Sequence, residues 1–222
     1  MSLTFPRPMP SIGAAEQIFD LARVDYAAPE AGGRLGGITA GFPRWRMDLT
    51  LGEMAARESA AWQAFVTSLR GSQRTFYARD LARPYPAAYP AGFTGLARAG
   101  GGAFPADGAA SSWSLNGARD VLTLGGLPAG FALREGDLVG FAWSTDRRTA
   151  ARILQTVQAD SSGAASVAIE PAPPTFVPGG ASVYLAQVEV VMRLVPAETE
   201  IGASNGVVTR GGRIAALQDL RP

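Results

Sequence analysis

Apolar positions in the middle of the chain recur with a period of two. Between Asp120 and Leu194 the runs VLTLGGLP, LREGDLVGFAW, ARILQTVQAD, SSGAASVAIEP and ASVYLAQVEVVMRL are separated by turn residues. Val139, Phe141 and Trp143, then Ile153 and Val157, then Ala165, Val167 and Ile169, then Val188, Val190, Met192 and Leu194 alternate with polar or small residues. That spacing turns one side of each strand toward a core. A small barrel or sandwich of short strands is expected there.

The first 85 or so residues have another texture. Gln17 to Tyr26 reads as a strand, and APEAGGRLGG after it as a turn in which glycines permit positive φ. Arg44 to Leu51 alternates throughout, with Trp45, Met47, Leu49 and Leu51 on one face and Arg44, Arg46, Asp48 and Thr50 on the other, which predicts a half-buried strand. Thr50 and Glu53 have the spacing of a capping box, so a helix is expected from Glu53 to about Arg70. Met54, Ala61, Trp62, Phe65, Val66 and Leu69 would form its apolar stripe, and Gly71 a left-handed cap.

From Arg83 to Gly102 the text RPYPAAYPAGFTGLARAGGG is dense in proline and glycine and suggests an extended connector between domains. After Leu194 a strand-turn-strand pattern returns at Glu200-Ile201, Gly206 to Thr209 and Arg213 to Leu217. The expected organisation is a domain of residues 1–85 with 190–222, and a β domain, 86–189, inserted in it. The fold class is mainly β.

Composition removes most chemistry. The 222 residues contain no cysteine and no histidine, and all 20 basic residues are arginine. Disulfides, thiolates, the commonest general base and transition-metal ligand, Schiff bases and Walker lysines are excluded together. A net charge of +1 with scattered arginines offers no basic stripe for a row of phosphates. No stretch approaches the roughly 20 apolar residues of a membrane helix, and MSLTFPRPMP lacks the layout of a secretory signal. A soluble chain that binds neither membrane nor specific nucleic-acid sequence is expected.

Few residues remain as chemical candidates. Glu135 and Asp137 could act as a paired-carboxylate hydrolase, but Gly136 between them points to a turn in which Asp bonds nearby amides. Trp113, Trp143, Phe131 and Tyr184 could stack on sugars; Trp143 ends an apolar alternation and reads as core, which leaves Trp113 the more exposed. Asp160 to Gly163 has too few oxygen ligands for a calcium loop and reads as a hairpin turn. Gly92 to Gly102 lacks the context of a phosphate cradle and reads as a flexible loop. No residue is assigned a catalytic, cofactor-binding or metal-binding role.

The order PRWRMDLTL, WQAFVTSLRG, QRTFYARD, GLPAGFALREGDLVGF and RILQTVQADSSGAASVAIEPAPP resembles the distal tail proteins of long-tailed, siphovirus-type bacteriophages and related tail-like particles. The resemblance covers nearly the whole chain. It implies a β-sandwich belt domain with one helix, and an inserted OB-fold or galectin-like β domain. It further implies a homohexameric ring, assembled in the host cytoplasm, that joins the tail tube protein to the hub or baseplate protein at the virion's tail tip and surrounds the DNA channel. The alternatives are another tail-tip or adaptor protein, and a module whose β domain recognises a host-surface glycan.

Overall fold

The computed structural model describes residues 3–10, 13–29 and 32–221. Strands dominate it, arranged in several sheets, and among the described residues there is one α-helix, Ala56–Leu69. The chain divides into two compact units, one made of Met1–Met9, Thr75–Val191 and Leu220–Pro222, the other of Pro10–Arg74 and Met192–Asp219. The main crossings thus fall at 74–75 and 191–192, against the 85 and 190 expected from the sequence.

In the second unit the strand Arg44–Leu51 follows its alternation without fault, because Trp45, Met47, Leu49 and Leu51 are all at most 2 % exposed. It pairs antiparallel with Ala14–Ala22, where Phe19 faces Met47 and Leu21 faces Trp45, and on its other side with Arg213–Gln218, where Ile214 faces Leu49. Arg213–Gln218 in turn pairs with Met192 to Leu194 at the end of the strand Glu189–Leu194. The Phe19 and Trp45 rings stack at 5.0 Å on the core side. On the opposite side Arg46 pairs with Asp48 at 2.7 Å and with Glu198, and Arg213 reaches Asp48 at 3.0 Å.

The helix buries Ser59, Trp62, Phe65 and Leu69, a stripe at spacings of three and four, with Trp62 and Phe65 packed edge to face at 5.7 Å. Ala61 is exposed and Val66 half-buried, so the stripe is narrower than the sequence suggested. The helix also starts later than expected. Thr50 is held in the ladder opposite Arg213, and a two-residue strand, Met54–Ala55, pairs with Val208–Arg210 before the helix begins. Glu53 therefore does not cap; its carboxylate pairs with Arg210 at 2.7 Å. Glu58 takes the capping role, its carboxylate accepting the Ala55 N–H at 3.0 Å. At the other end Arg70, not Gly71, occupies the first left-handed position, φ 52, and donates its N–H to Thr67.

The segment Gln17 to Tyr26, expected as one strand, is broken at Arg23 and Val24: Ala14–Ala22 belongs to the sheet, and Asp25–Pro29 forms a separate hairpin with Leu35–Thr39. The glycine-rich stretch expected as a simple turn supplies half of that hairpin. Near the C-terminus, Glu200 makes an isolated bridge with Arg213 instead of a strand, and the short strand lies at Ala203–Ser204.

The first unit holds an antiparallel sheet of six strands in the order Ser182–Tyr184, Leu138–Ser144, Arg147–Ile153, Ala165–Glu170, Val121–Gly125 and Ser112–Leu115. A second pair joins Ala132–Leu133 to Val157–Gln158. Val139, Phe141, Ile153, Ala165, Val167 and Ile169 lie in its core as the alternation required. Trp143 does not continue the series, because the register shifts between Ala142 and Ser144 and the bulge leaves Trp143 half-buried. Gly140 sits opposite Tyr184, and a Cβ there would come within 2.6 Å of the Tyr184 ring.

Residues 83–102 are not an extended connector. Successive turns, with Tyr89 N–H donating to Pro86 at 2.8 Å and Gly92 N–H to Tyr89 at 2.9 Å, fold the segment back on the unit. Tyr85, Tyr89 and Phe93 recur every four residues and converge; Tyr89 stacks on Phe131 at 4.4 Å, and Phe93 meets Phe104 at 5.2 Å. Phe93 and Phe104 are buried in the core. The glycines serve the turns, while the aromatics between them supply apolar surface that extended chain would leave in water.

Candidate functional site

The paired carboxylates separate once their surroundings are built. Arg134 to Asp137 is a turn closed by the Asp137 N–H donating to the Arg134 carbonyl at 3.1 Å, with Gly136 at φ +88. Glu135 points into solvent, whereas Asp137 is 7 % exposed and its two oxygens accept the Ala87 and Arg134 N–H groups, both at 2.8 Å. A carboxylate engaged by two amides holds a loop in place. The two acids form no common cleft.

The four aromatic candidates do not converge on one platform. Phe131 is buried and Tyr184 half-buried, its hydroxyl accepting the Glu189 N–H at 3.2 Å; burial pushes the Tyr184 phenol up to about 12. Trp113 is half-buried, edge-on to Phe141 at 5.4 Å, and donates its Nε1–H to the Ala181 carbonyl at 2.7 Å. Trp143 lies tilted against Phe176, which is 37 % exposed, with centroids 6.1 Å apart.

Asp160 nucleates the hairpin turn before Ala165–Glu170. Its Oδ1 accepts the Ser162 N–H at 2.8 Å, the Ser162 hydroxyl at 2.6 Å and the Ala164 N–H at 3.0 Å, and these bonds, the Ser162 hydroxyl first, hold the carboxyl below the usual range. In the Gly92 to Gly102 loop the Arg98 guanidinium donates to the carbonyls of Gly126 and, at 2.8 Å, Ala109. Among the described residues no three His, Cys, Asp or Glu side chains gather as metal ligands, and no helix is long and apolar enough to cross a membrane.

Two charged clusters remain. In the first unit the Arg148 guanidinium lies 4.2 Å over the Tyr77 ring and pairs with Glu189, and the Tyr77 hydroxyl donates to the Thr145 carbonyl. Burial raises the Tyr77 phenol above its ordinary value. In the second unit Arg46, Asp48, Glu198 and Arg213 share carboxylates across strands, and a surface hollow of about 250 Å³ opens beside Glu198, Glu200 and Arg213. The Arg46 guanidinium, then that of Arg213, holds the Asp48 carboxyl below its ordinary value. Arg213 with Asp48 links two neighbouring strands, Arg46 with Asp48 lies within one, and Glu198 reaches them from the 3-10 turn Pro196–Glu198.

The exposed apolar residues form a different kind of feature. Val24, Tyr26, Leu35 and Ile38 are 54 %, 65 %, 75 % and 73 % exposed, and all lie on or beside the hairpin. Leu35 and Ile38 sit among glycines and gave no signal; the available signal was Val24 and Tyr26, two positions apart at the end of the expected strand.

No protein-family model matches the sequence, and no curated protein matches it significantly.

Proposed function

We propose that the chain is a structural component of a phage-type tail tip, a homohexameric ring that joins the tail tube protein to the hub or baseplate protein and surrounds the DNA channel. The observation that supports this reading is the path of the chain: it leaves the helix-bearing second unit at residue 74, builds the larger part of the first unit, and re-enters the second at Met192, while Met1–Met9 and Leu220–Pro222 group with the first. The same organisation follows from the sequence resemblance, with a belt β-sandwich and an inserted OB-fold or galectin-like domain as the finer assignments. On this reading the protein acts by shape and self-association rather than catalysis, and its place is the virion. Native mass spectrometry of the purified chain tests it: a hexamer is expected, and a monomer at every concentration refutes the ring.

The second reading, a module for host-surface glycan, is favoured by one observation, the adjacent and partly exposed rings of Trp143, on the strand Leu138–Ser144, and Phe176. Aromatic faces bind sugars at low entropic cost. Saturable glycan binding that Trp143→Ala abolishes, by a chain that stays monomeric, would replace the first reading with this one.

A further inference from the structure

We propose that Asn205-Gly206 is a self-modification site, at which the Gly206 backbone nitrogen displaces ammonia from the Asn205 side chain and the ring so formed opens with water to aspartate and isoaspartate. The proposal is independent of both readings above. The chain has two asparagines, Asn116 and Asn205, and each precedes a glycine, so one molecule supplies both the site and its control. Glycine leaves the attacking nitrogen unhindered in both. What separates them is how the fold holds the asparagine amide.

Ser204, Asn205 and Gly206 are exposed in the turn that joins Ala203–Ser204 to Val208–Arg210. The Gly206 N–H donates to the Ser204 hydroxyl oxygen at 3.3 Å, and the Asn205 Oδ1 accepts the Val207 and Val208 N–H groups, both at 3.0 Å. The nucleophile thus has a proton acceptor, and the carbonyl that must become an oxyanion already has two donors. In the first step the Gly206 nitrogen passes its proton through the Ser204 hydroxyl to water and bonds to the Asn205 Cγ, whose π electrons move onto Oδ1. Their return breaks the Cγ–Nδ2 bond, and the amide nitrogen takes a proton from water and leaves as ammonia. Water then opens the five-membered ring at either carbonyl.

Among the described residues the Asn205 amide is held through Oδ1 alone. Asn116 is clamped at both ends: its Nδ2 donates to the Asp120 carboxylate at 2.7 Å, and its Oδ1 accepts the Asp120 and Val121 N–H groups, both at 3.1 Å. The departing nitrogen is therefore tied down, and the Asp120 charge opposes the charge that must build on the Asn116 carbonyl. Conversion at Asn205 also has a structural reach. Isoaspartate lengthens the main chain by one carbon at the tip of a ribbon whose strand Val208–Arg210 pairs with Met54–Ala55, and whose Thr209 hydroxyl donates to Ser59 on the helix at 2.9 Å.

The test uses the full chain, aged in mildly alkaline buffer and digested in mild acid. Peptide mass spectrometry reads the exchange of –NH2 for –OH at each asparagine, and labelling by an isoaspartyl methyltransferase reads the isomer. In the folded chain Asn205 should convert at least about tenfold faster than Asn116, the effect of one charge-assisted bond retained in the barrier of the slower site. In urea the two rates should converge. Ser204→Ala should slow Asn205 in the folded chain and leave its rate in urea unchanged. Equal rates at the two sites in the folded parent, or a faster Asn116, overturn the proposal without need of any variant. A Ser204→Ala chain that converts at the parental rate while folded overturns the proton-accepting role of Ser204.

Discussion

The side-chain Oε1 of Gln218 accepts the backbone N–H of Trp45 at 3.1 Å, and both residues are buried, 173 positions apart in the chain. The strand Arg213–Gln218 pairs with Arg44–Leu51 only as far as Leu217 opposite Arg46, so the glutamine amide continues the ladder by one bond. Replacing Gln218 by Met keeps the volume and removes the acceptor. The orphaned amide should cost about 1–3 kcal/mol in urea unfolding. A change below about 0.5 kcal/mol would mean that water or another group satisfies Trp45.

Phe65 is fully buried on the helix face that also buries Trp62 and Leu69, whereas Gln63 is exposed. Phe65→Ala should lower the unfolding free energy by about 3–5 kcal/mol, and Gln63→Ala by less than about 0.5 kcal/mol. Equal melting curves for the two variants would contradict the burial.

Asp137 and Glu135 should differ in the same way for a polar reason. Asp137→Ala leaves the part-buried amide bonds from Ala87 and Arg134 without their carboxylate acceptor and should cost about 1–3 kcal/mol, while Glu135→Gln should fall within about 0.5 kcal/mol of the parent. Thermal unfolding of both variants checks the pair.

The Asp48 carboxyl is lowered by Arg46 and then Arg213, so the folded state binds its proton less readily than the unfolded chain does. Its stabilisation is therefore complete above the unfolded carboxylate value of about 4 and is lost as pH falls through the lower folded value. Asp48→Asn should destabilise by on the order of 1 kcal/mol at pH 7, with the difference shrinking in acid. A difference that stays constant from pH 7 to pH 3 would remove Asp48 from the acid response.

Arg193 donates to the carbonyls of Ser72 and, at 3.0 Å, Gln73, so the two segments of the second unit meet where the chain leaves and re-enters it. Joining Arg74 to Met192 through a short Gly/Ser linker should yield a cooperatively folding protein, read by circular dichroism and a single melting transition. Aggregation or a broad, non-cooperative melt would show that this unit needs Thr75–Val191 to fold.

What the sequence determined by itself is where burial repeats locally. Arg44–Leu51 and the Trp62, Phe65, Leu69 stripe are legible because a strand or helix places alternate or i, i+3 residues on one side regardless of its partner. The turn at Gly136 and the bond from the Arg134 amide to Asp137 were legible for the same reason, since a tight turn is set by its own few residues, whereas the bond from Ala87, 50 positions away, was not. Tertiary structure decided everything that depends on a distant partner. Pairing with Val208–Arg210 drew Met54 and Ala55 into a strand and moved the helix start. A register shift opposite Arg147 left Trp143 half-buried at the margin of the core, against which it still packs. Tyr89 and Phe93 found Phe131, and Tyr85 found Phe93, which turned a proline- and glycine-rich stretch into packed structure. Glycine and proline leave many backbone paths open, so the path is chosen by the non-local apolar surface it can bury.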